Sequence, residues 1–205
     1  MPIILPNNKL EEIPSIVFSE LRKGASRKKH PFKNVVLTTV CEKIPISRWV
    51  VFRKLTLEQN LLIYTDSRTE KIKDLRKNSN SGLLFYNNKQ GLQIYFNTVS
   101  TIHQNNELTK KYWQGIAGTS SENYTTIYPP STPIKNIGEG QKTDKDLNDK
   151  HFSIIELCPI NMSILQLSRD GHIRASFSKI NNEWEGSFIV PVSYTHLTLP
   201  TIYSV

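Results

Sequence analysis

Two cysteines in 205 residues, Cys41 and Cys158, supply neither a disulfide framework nor a metal or redox motif. Each reads as a small apolar residue rather than a nucleophile. His30, His103, His151 and His172 stand at no spacing that would hold zinc or iron, so no metal site is expected. Neither a Gly-x-Gly-x-x-Gly turn nor a Walker-type loop is present, which removes the Rossmann and P-loop readings. No apolar run approaches the ~18 residues of a membrane helix. The opening MPIILPNNKLEE has no basic flank and no small-residue cleavage site, so no secretory signal is expected. Together these gaps describe a reduced, cytoplasmic protein without a membrane partner. Acidic residues are also scarce, 18 against 26 lysines and arginines, leaving a formal charge of +8.

What is present is enough for a packed core. Hydrophobic residues make up 38 % of the chain and include 3 Trp, 8 Tyr and 8 Phe, too many for a disordered chain. The length suits one domain. The positive charge is concentrated in RKGASRKKHPFK between Arg22 and Lys33, and in Arg68, Lys71, Lys73, Arg76 and Lys77. Such runs are either solvated faces or phosphate-binding elements. No nucleic-acid motif of fixed spacing accompanies them, so a nucleic-acid partner is not expected.

Between Asn8 and Lys23, Leu10, Ile13, Ile16, Val17 and Leu21 recur at near-helical spacing, with Pro14 marking a helix start or kink. Short runs of branched and aromatic residues follow: Val35–Val40, Trp49–Leu55, Leu61–Thr65, Leu83–Tyr86 and Leu92–Ser100. Turn residues separate them, which predicts strands, with a hairpin at Glu58–Asn60. One helix, Ser67–Lys77, is inserted after the third strand, and another, Glu107–Gln114, follows the fifth. Residues 117–149 are rich in Ser, Thr, Asn, Pro and Gly and read as a long functional loop. Strand character returns at Phe152–Leu157, Met162–Leu167, His172–Phe177 and Ser187–Val190. Closely spaced strands with few helices predict a mainly β (α+β) protein, an antiparallel barrel with a few peripheral helices.

Three places could carry chemistry. Ser67 followed by Glu70 fits a capping box directly after a strand, and a helix start with unpaired N–H groups suits an anion. Arg68 and Lys71 add charge there, and Ser67 and Thr69 add hydroxyls. A capped surface helix is the plainer reading. Arg48 opens RWVVFRKL, with Arg53 five residues on. In a regular strand that odd separation puts them on opposite faces, so one ligand meets both only near a strand end or across an interface. Gln93 is polar within the apolar LQIYF, either a surface position or a ligand contact. Tyr112 and Trp113, on the second helix, read as core more readily than as a cofactor contact.

In this order the pieces resemble the pyridoxamine 5′-phosphate oxidase-like superfamily of FMN-binding split barrels, from about His30 to Trp184. The series runs from Arg48-Trp-Val-Val-Phe-Arg53 through Tyr64-Thr65, the turn from Thr65 to Lys71, Asn78, the LLFY strand and Gln93 to His172-Ile173-Arg174, ten residues before Trp184. The resemblance implies a split antiparallel β-barrel over residues 1–191 and FMN at the interface of a homodimer. It implies Arg48, Thr69 and Lys71 on the phosphate, with Arg68 as an additional contact. The backbone from Val50 and Val51 to Arg53 would line the isoalloxazine, Tyr64 and Thr65 would flank the flavin, and Gln93 would reach the ring edge. Arg174 would come from the partner subunit. The arginine type agrees, because a guanidinium fork suits a phosphate or carbonyl edge better than an ammonium does.

The same resemblance implies a flavin-dependent oxidoreductase acting on a small-molecule substrate, with Tyr112 and His172 as substrate contacts. The vitamin B6 site is incomplete, however: Ile116 stands where its arginine belongs, and Asp170 stands where a second arginine belongs, with Arg169 adjacent. The alternatives are a true pyridoxamine or pyridoxine 5′-phosphate oxidase, or a non-catalytic barrel binding flavin, haem or a deazaflavin. The last residues, Val192–Val205 (VSYTHLTLPTIYSV), are similar to the translation of a sequencing-library adapter, and are expected to be a non-native tail.

Overall fold

The computed structural model describes residues 1–116, 121–143, 148–169 and 171–191. Asp170 and the segment Val192–Val205, each given a role above, lie outside the described residues. Eight antiparallel strands form one sheet: β1 (Asn34–Cys41), β2 (Ile44–Leu55), β3 (Leu61–Asp66), β4 (Asn80–Asn87), β5 (Leu92–Gln104), β6 (Phe152–Gln166), β7 (Ile173–Ile180) and β8 (Glu183–Phe188). Their order is β3-β2-β1-β4-β5-β6-β7-β8, and β3 also pairs with β6. That extra pairing closes the first six strands into a barrel, which leaves no free edge among them.

The two strands expected at Phe152–Leu157 and Met162–Leu167 are halves of β6, a single 15-residue strand. Its first half closes the barrel against β3, while its second half pairs with β7. The reason the sequence reads as a break is local. Pro159, which has no N–H to donate, faces Thr98, Asn161 faces Asn97, and Ile160 is the extra residue of a bulge. The last strand also lies earlier than expected, ending at Phe188.

Helix α1 (Ile13–Ser26) starts at the proline, with Pro14 in its first turn, and Leu10–Glu12 before it form a separate 3-10 turn. It lays Ile13, Val17, Phe18 and Leu21 on the barrel core. A row of edge-on aromatic rings crosses that core: Phe32, Phe52 and Phe96 each meet Phe85, at 5.5, 5.4 and 6.2 Å. Helix α2 (Glu70–Lys77) adds Ile72 and Leu75 to the same core. The Ser67–Glu70 capping box does not form, because the helix begins three residues later than Ser67, with Thr69 at the cap. Helix α3 (Glu107–Gln114) is capped by Asn106. It covers a second cluster on the outside of β3 and β6, made by Leu62, Phe152, Ile154 and Tyr124 with Tyr64, Tyr112, Trp113 and Ile116 packed on it. The long loop contains a 3-10 turn (Ser121–Tyr124) and a single-turn helix α4 (Ile137–Gly140). Both thiols are unpaired, and Cys158 is exposed rather than buried.

Candidate functional site

Alternation along β1 and β2 decides which side chains meet α2. Leu37 is fully buried and pairs with Arg48, and directly paired residues share a face. Arg48 therefore points to the core side of the sheet, where α2 lies. Its Nη1 donates to Thr39 Oγ1 at 2.6 Å, and its Nη2 reaches Asp74 Oδ2 at 3.5 Å. From β3, Thr65 accepts from Lys71 Nζ at 3.2 Å and lies 3.4 Å from the Thr69 hydroxyl. Thr69 itself donates to the Asp66 carbonyl at 2.8 Å. Arg48, Thr65, Thr69 and Lys71 thus converge where β3 turns into α2.

The electrostatics of this corner are set by two cations held close together and partly out of water. Burial pushes the Lys71 ammonium below the ordinary lysine range, Arg48 pushes it further, and Asp66 opposes them. Burial likewise lowers Arg48, against the pull of Asp74. Among the described residues no carboxylate pairs directly with Lys71, and the Arg48–Asp74 contact is at the limit of a hydrogen bond. Two half-buried cations and the Thr65 hydroxyl form a donor set matched to a phosphate dianion, while the Thr69 hydroxyl donates to the Asp66 carbonyl.

Arg68 is directed elsewhere. It holds Asp66 through Nε and Nη2, at 3.0 and 2.7 Å, and donates to the carbonyls of Thr126 and Ile127 at 2.7 and 3.2 Å. Its guanidinium clamps the long loop to the turn before α2.

On the outer side, the β2–β3 register slips at Arg53, a bulge that re-aims its side chain. Arg53 lies 5.7 Å from the Tyr64 ring centre and donates to Tyr124 Oη at 3.3 Å. Its Nε is buried without a partner. Lys54 stands 4.9 Å over the Tyr112 ring, which packs on Tyr64 at 5.7 Å. Burial raises the Tyr64 hydroxyl well above its ordinary value, Tyr112 and Tyr124 add to that, and Arg53 opposes it. Val50 packs on the core and Val51 is half-buried on the other side of the strand.

Gln93 belongs to a different region, an open apolar cavity of about 490 Å³ whose lining includes Trp49, Leu84, Tyr86, Gln93, Leu165 and Leu167. Arg174 pairs with Leu165 on the same sheet face. It also lines a neighbouring cleft with His172, whose Nδ1 accepts from the Ser168 N–H at 3.3 Å. Within one chain, then, Gln93, Arg174 and His172 are not gathered with the Arg48–Lys71 corner. Trp49, the neighbour of Arg48, links the two regions. Among the described residues no cluster of His, Cys, Asp and Glu could hold a metal. No helix among them is long and apolar enough to cross a membrane.

Two residues of the corner, Thr39 and Asp74, were not singled out by the sequence. Their signal was faint: a hydroxyl on the buried row of β1, and a carboxylate between Ile72 and Leu75 on the buried side of α2.

The fold is thus a closed six-stranded antiparallel barrel with two half-buried cations, Arg48 and Lys71, beside a strand–helix turn. Residues 16–104 match the family model for the pyridoxamine 5′-phosphate oxidase FMN-binding domain. Over that segment, which is less than half of the chain, the sequence carries an FMN-binding domain of that family. Among solved structures, it is similar to a pyridoxamine 5′-phosphate oxidase-related, FMN binding protein from Nostoc punctiforme. The two are 18 % identical with a TM-score of 0.73, over 85 % of this chain and 96 % of that one. It is also similar to PhzG from Burkholderia lata, determined in complex with tetrahydrophenazine-1-carboxylic acid. Identity there is again 18 %, with a TM-score of 0.74, over 92 % and 98 % of the two chains. No curated protein matches the sequence. At these identities the structural likeness is one of fold. The donor set described above fits FMN: cations and the Thr65 hydroxyl for its phosphate, and an unpartnered Arg53 Nε for a further acceptor.

Proposed function

We propose that this protein is a cytoplasmic, homodimeric FMN-dependent oxidoreductase acting on a small molecule, with the flavin at the subunit interface. The observations that carry this reading are the convergence of Arg48, Thr65, Thr69 and Lys71 at the β3–α2 turn and, in a separate region, an apolar face that its own chain leaves open. Arg48, Thr69 and Lys71 neutralise the phosphate, and Thr65 and Tyr64 flank the flavin. The backbone from Val50 through Val51 to Arg53 lies along the ring. Gln93 and Arg174, far from the corner in one chain, approach the flavin when two such faces meet, Arg174 from the partner. Bound FMN supplies the hydride chemistry, and the protein supplies orientation and charge. Unpaired Cys41 and Cys158 suit a reducing compartment.

The substrate is held on the aromatic side of β3, with Tyr112 and His172 as contacts. Ile116 packs into the apolar cluster around Tyr112 and cannot supply the second cation that a phosphorylated vitamin B6 requires. The complex of PhzG with a polycyclic carboxylic acid supports a small organic substrate of another kind. The test is spectroscopic and kinetic. The purified protein is expected to show flavin absorption without a Soret band, and negligible turnover of pyridoxine or pyridoxamine 5′-phosphate. A haem spectrum would refute the cofactor. Turnover of about 1 per second or faster would refute the substrate reading.

A further inference from the structure

Arg48 is not held by a carboxylate in the ordinary way. Its closest partner is a neutral hydroxyl, Thr39 Oγ1, at 2.6 Å, and Asp74 stands behind that hydroxyl at 2.7 Å. Thr39 and Asp74 are almost completely buried, at 0 % and 3 % exposure. A hydroxyl has one proton and two acceptor sites. Because the Thr39 proton goes to Asp74, the oxygen can only accept from Arg48, so the carboxylate fixes the hydroxyl and the hydroxyl fixes the guanidinium. The direct Arg48–Asp74 contact, at 3.5 Å, adds charge balance but little direction.

This arrangement leaves most of the guanidinium's N–H groups free while preventing the fork from turning away. A full bidentate salt bridge to Asp74 would occupy the edge that a phosphate needs. A free arginine would instead be pushed off by Lys71, whose ammonium feels Arg48 across the corner. We propose that Thr39 and Asp74 are positioning residues: a buried Asp74–Thr39–Arg48 relay that aims Arg48 at the FMN phosphate and so sets the preference of the site for FMN over riboflavin. The proposal rests on the reading that Arg48 meets the phosphate.

The test is the ratio of riboflavin to FMN dissociation constants, measured by flavin-fluorescence titration of the full chain. Thr39→Val removes the bridging oxygen at nearly constant shape and is expected to lower the ratio about tenfold, the loss of one charge-assisted hydrogen bond. Riboflavin affinity stays as in the parent, and Thr39→Ser restores the ratio. An unchanged ratio in Thr39→Val, or equal weakening of both flavins, overturns the relay, since a merely structural hydroxyl would not distinguish the two ligands. Asp74→Asn keeps an acceptor facing Thr39 without the charge, and is expected to retain the preference. Its loss there would show that net charge, not the aimed hydroxyl, governs Arg48, and would also overturn the relay. A parent protein without any preference for FMN would remove the phosphate assignment itself, an outcome separate from a failure of Thr39→Val alone.

Discussion

Lys71 is the residue whose cost and use are most clearly opposed. In the flavin-free protein its charged form is disfavoured by burial and by Arg48, so its folded pKa lies below the ordinary 10.5. The unfolded chain then binds more protons than the folded one between that lowered value and 10.5, and stability rises with pH across this window. Below the window the lysine is charged in both states and the full destabilisation is present. Lys71→Met is therefore expected to raise the melting temperature of the flavin-free protein at neutral pH and to abolish the alkaline gain. The same change should weaken FMN binding by about 1–3 kcal/mol and leave riboflavin unaffected. In the parent, FMN affinity should fall on the acid side as the phosphate loses its second charge near about pH 6. It should fall again on the alkaline side, below 10.5, as Lys71 loses its proton. Calorimetry and titration of both flavins across pH check this. A riboflavin profile that follows the FMN profile would assign the pH dependence to some other group.

At the level of elements, the turn between β3 and α2 does two jobs with adjacent residues. Lys71 and Thr69 face the anion corner, while Arg68 grips Asp66 and the carbonyls of Thr126 and Ile127. The Asp66 side chain is only 3 % exposed, so removing its partner leaves a buried charge uncompensated. Arg68→Ala is expected to cost about 3 kcal/mol of stability in urea unfolding. It should also speed amide exchange in residues 121–143, because the clamp is lost; exchange unaltered in that segment would show that the loop is held by Tyr124 instead. Most of the strands along the chain and the helix after β3 were legible because each follows from local alternation and turn residues. So was the basic turn, whose Thr69 and Lys71 do lie together with Arg48. The role of Arg68 was not legible, since its partners Thr126 and Ile127 are almost sixty residues away in a loop without periodic pattern. The continuity of β6 was hidden for the opposite reason: Pro159 and Asn161 look like a turn, and only the facing strand β5 shows that they form a bulge. Thr39 and Asp74 were missed because a buried hydroxyl and a buried carboxylate become informative only when tertiary structure sets them beside each other.

The whole molecule presents a barrel that is well packed inside and apolar on part of its outside. Trp49 is 70 % exposed and Tyr86 45 %, and both border the open cavity that contains Gln93. Large aromatic residues are enriched at interfaces and lysine is depleted there, and this face between β2 and β6 carries aromatic and branched side chains. The homodimer proposed above would use this face and place Arg174, which lies on it, near the flavin of its partner. In the proposed dimer the flavin needs both sets of residues, so FMN binding and association would be linked. FMN should then raise the melting temperature and shift the equilibrium toward the dimer by mass action. Trp49→Lys places a charge at the centre of the face without touching the phosphate donors. Sedimentation is expected to show that variant as a monomer, with FMN affinity reduced at least about tenfold, the equivalent of one lost contact worth about 1.4 kcal/mol. The phosphate preference over riboflavin should survive in whatever binding remains, because Arg48 and Lys71 are intact. A parent protein that sediments as a flavin-loaded monomer would show that one chain completes the site, and that Gln93 and Arg174 serve something other than the flavin.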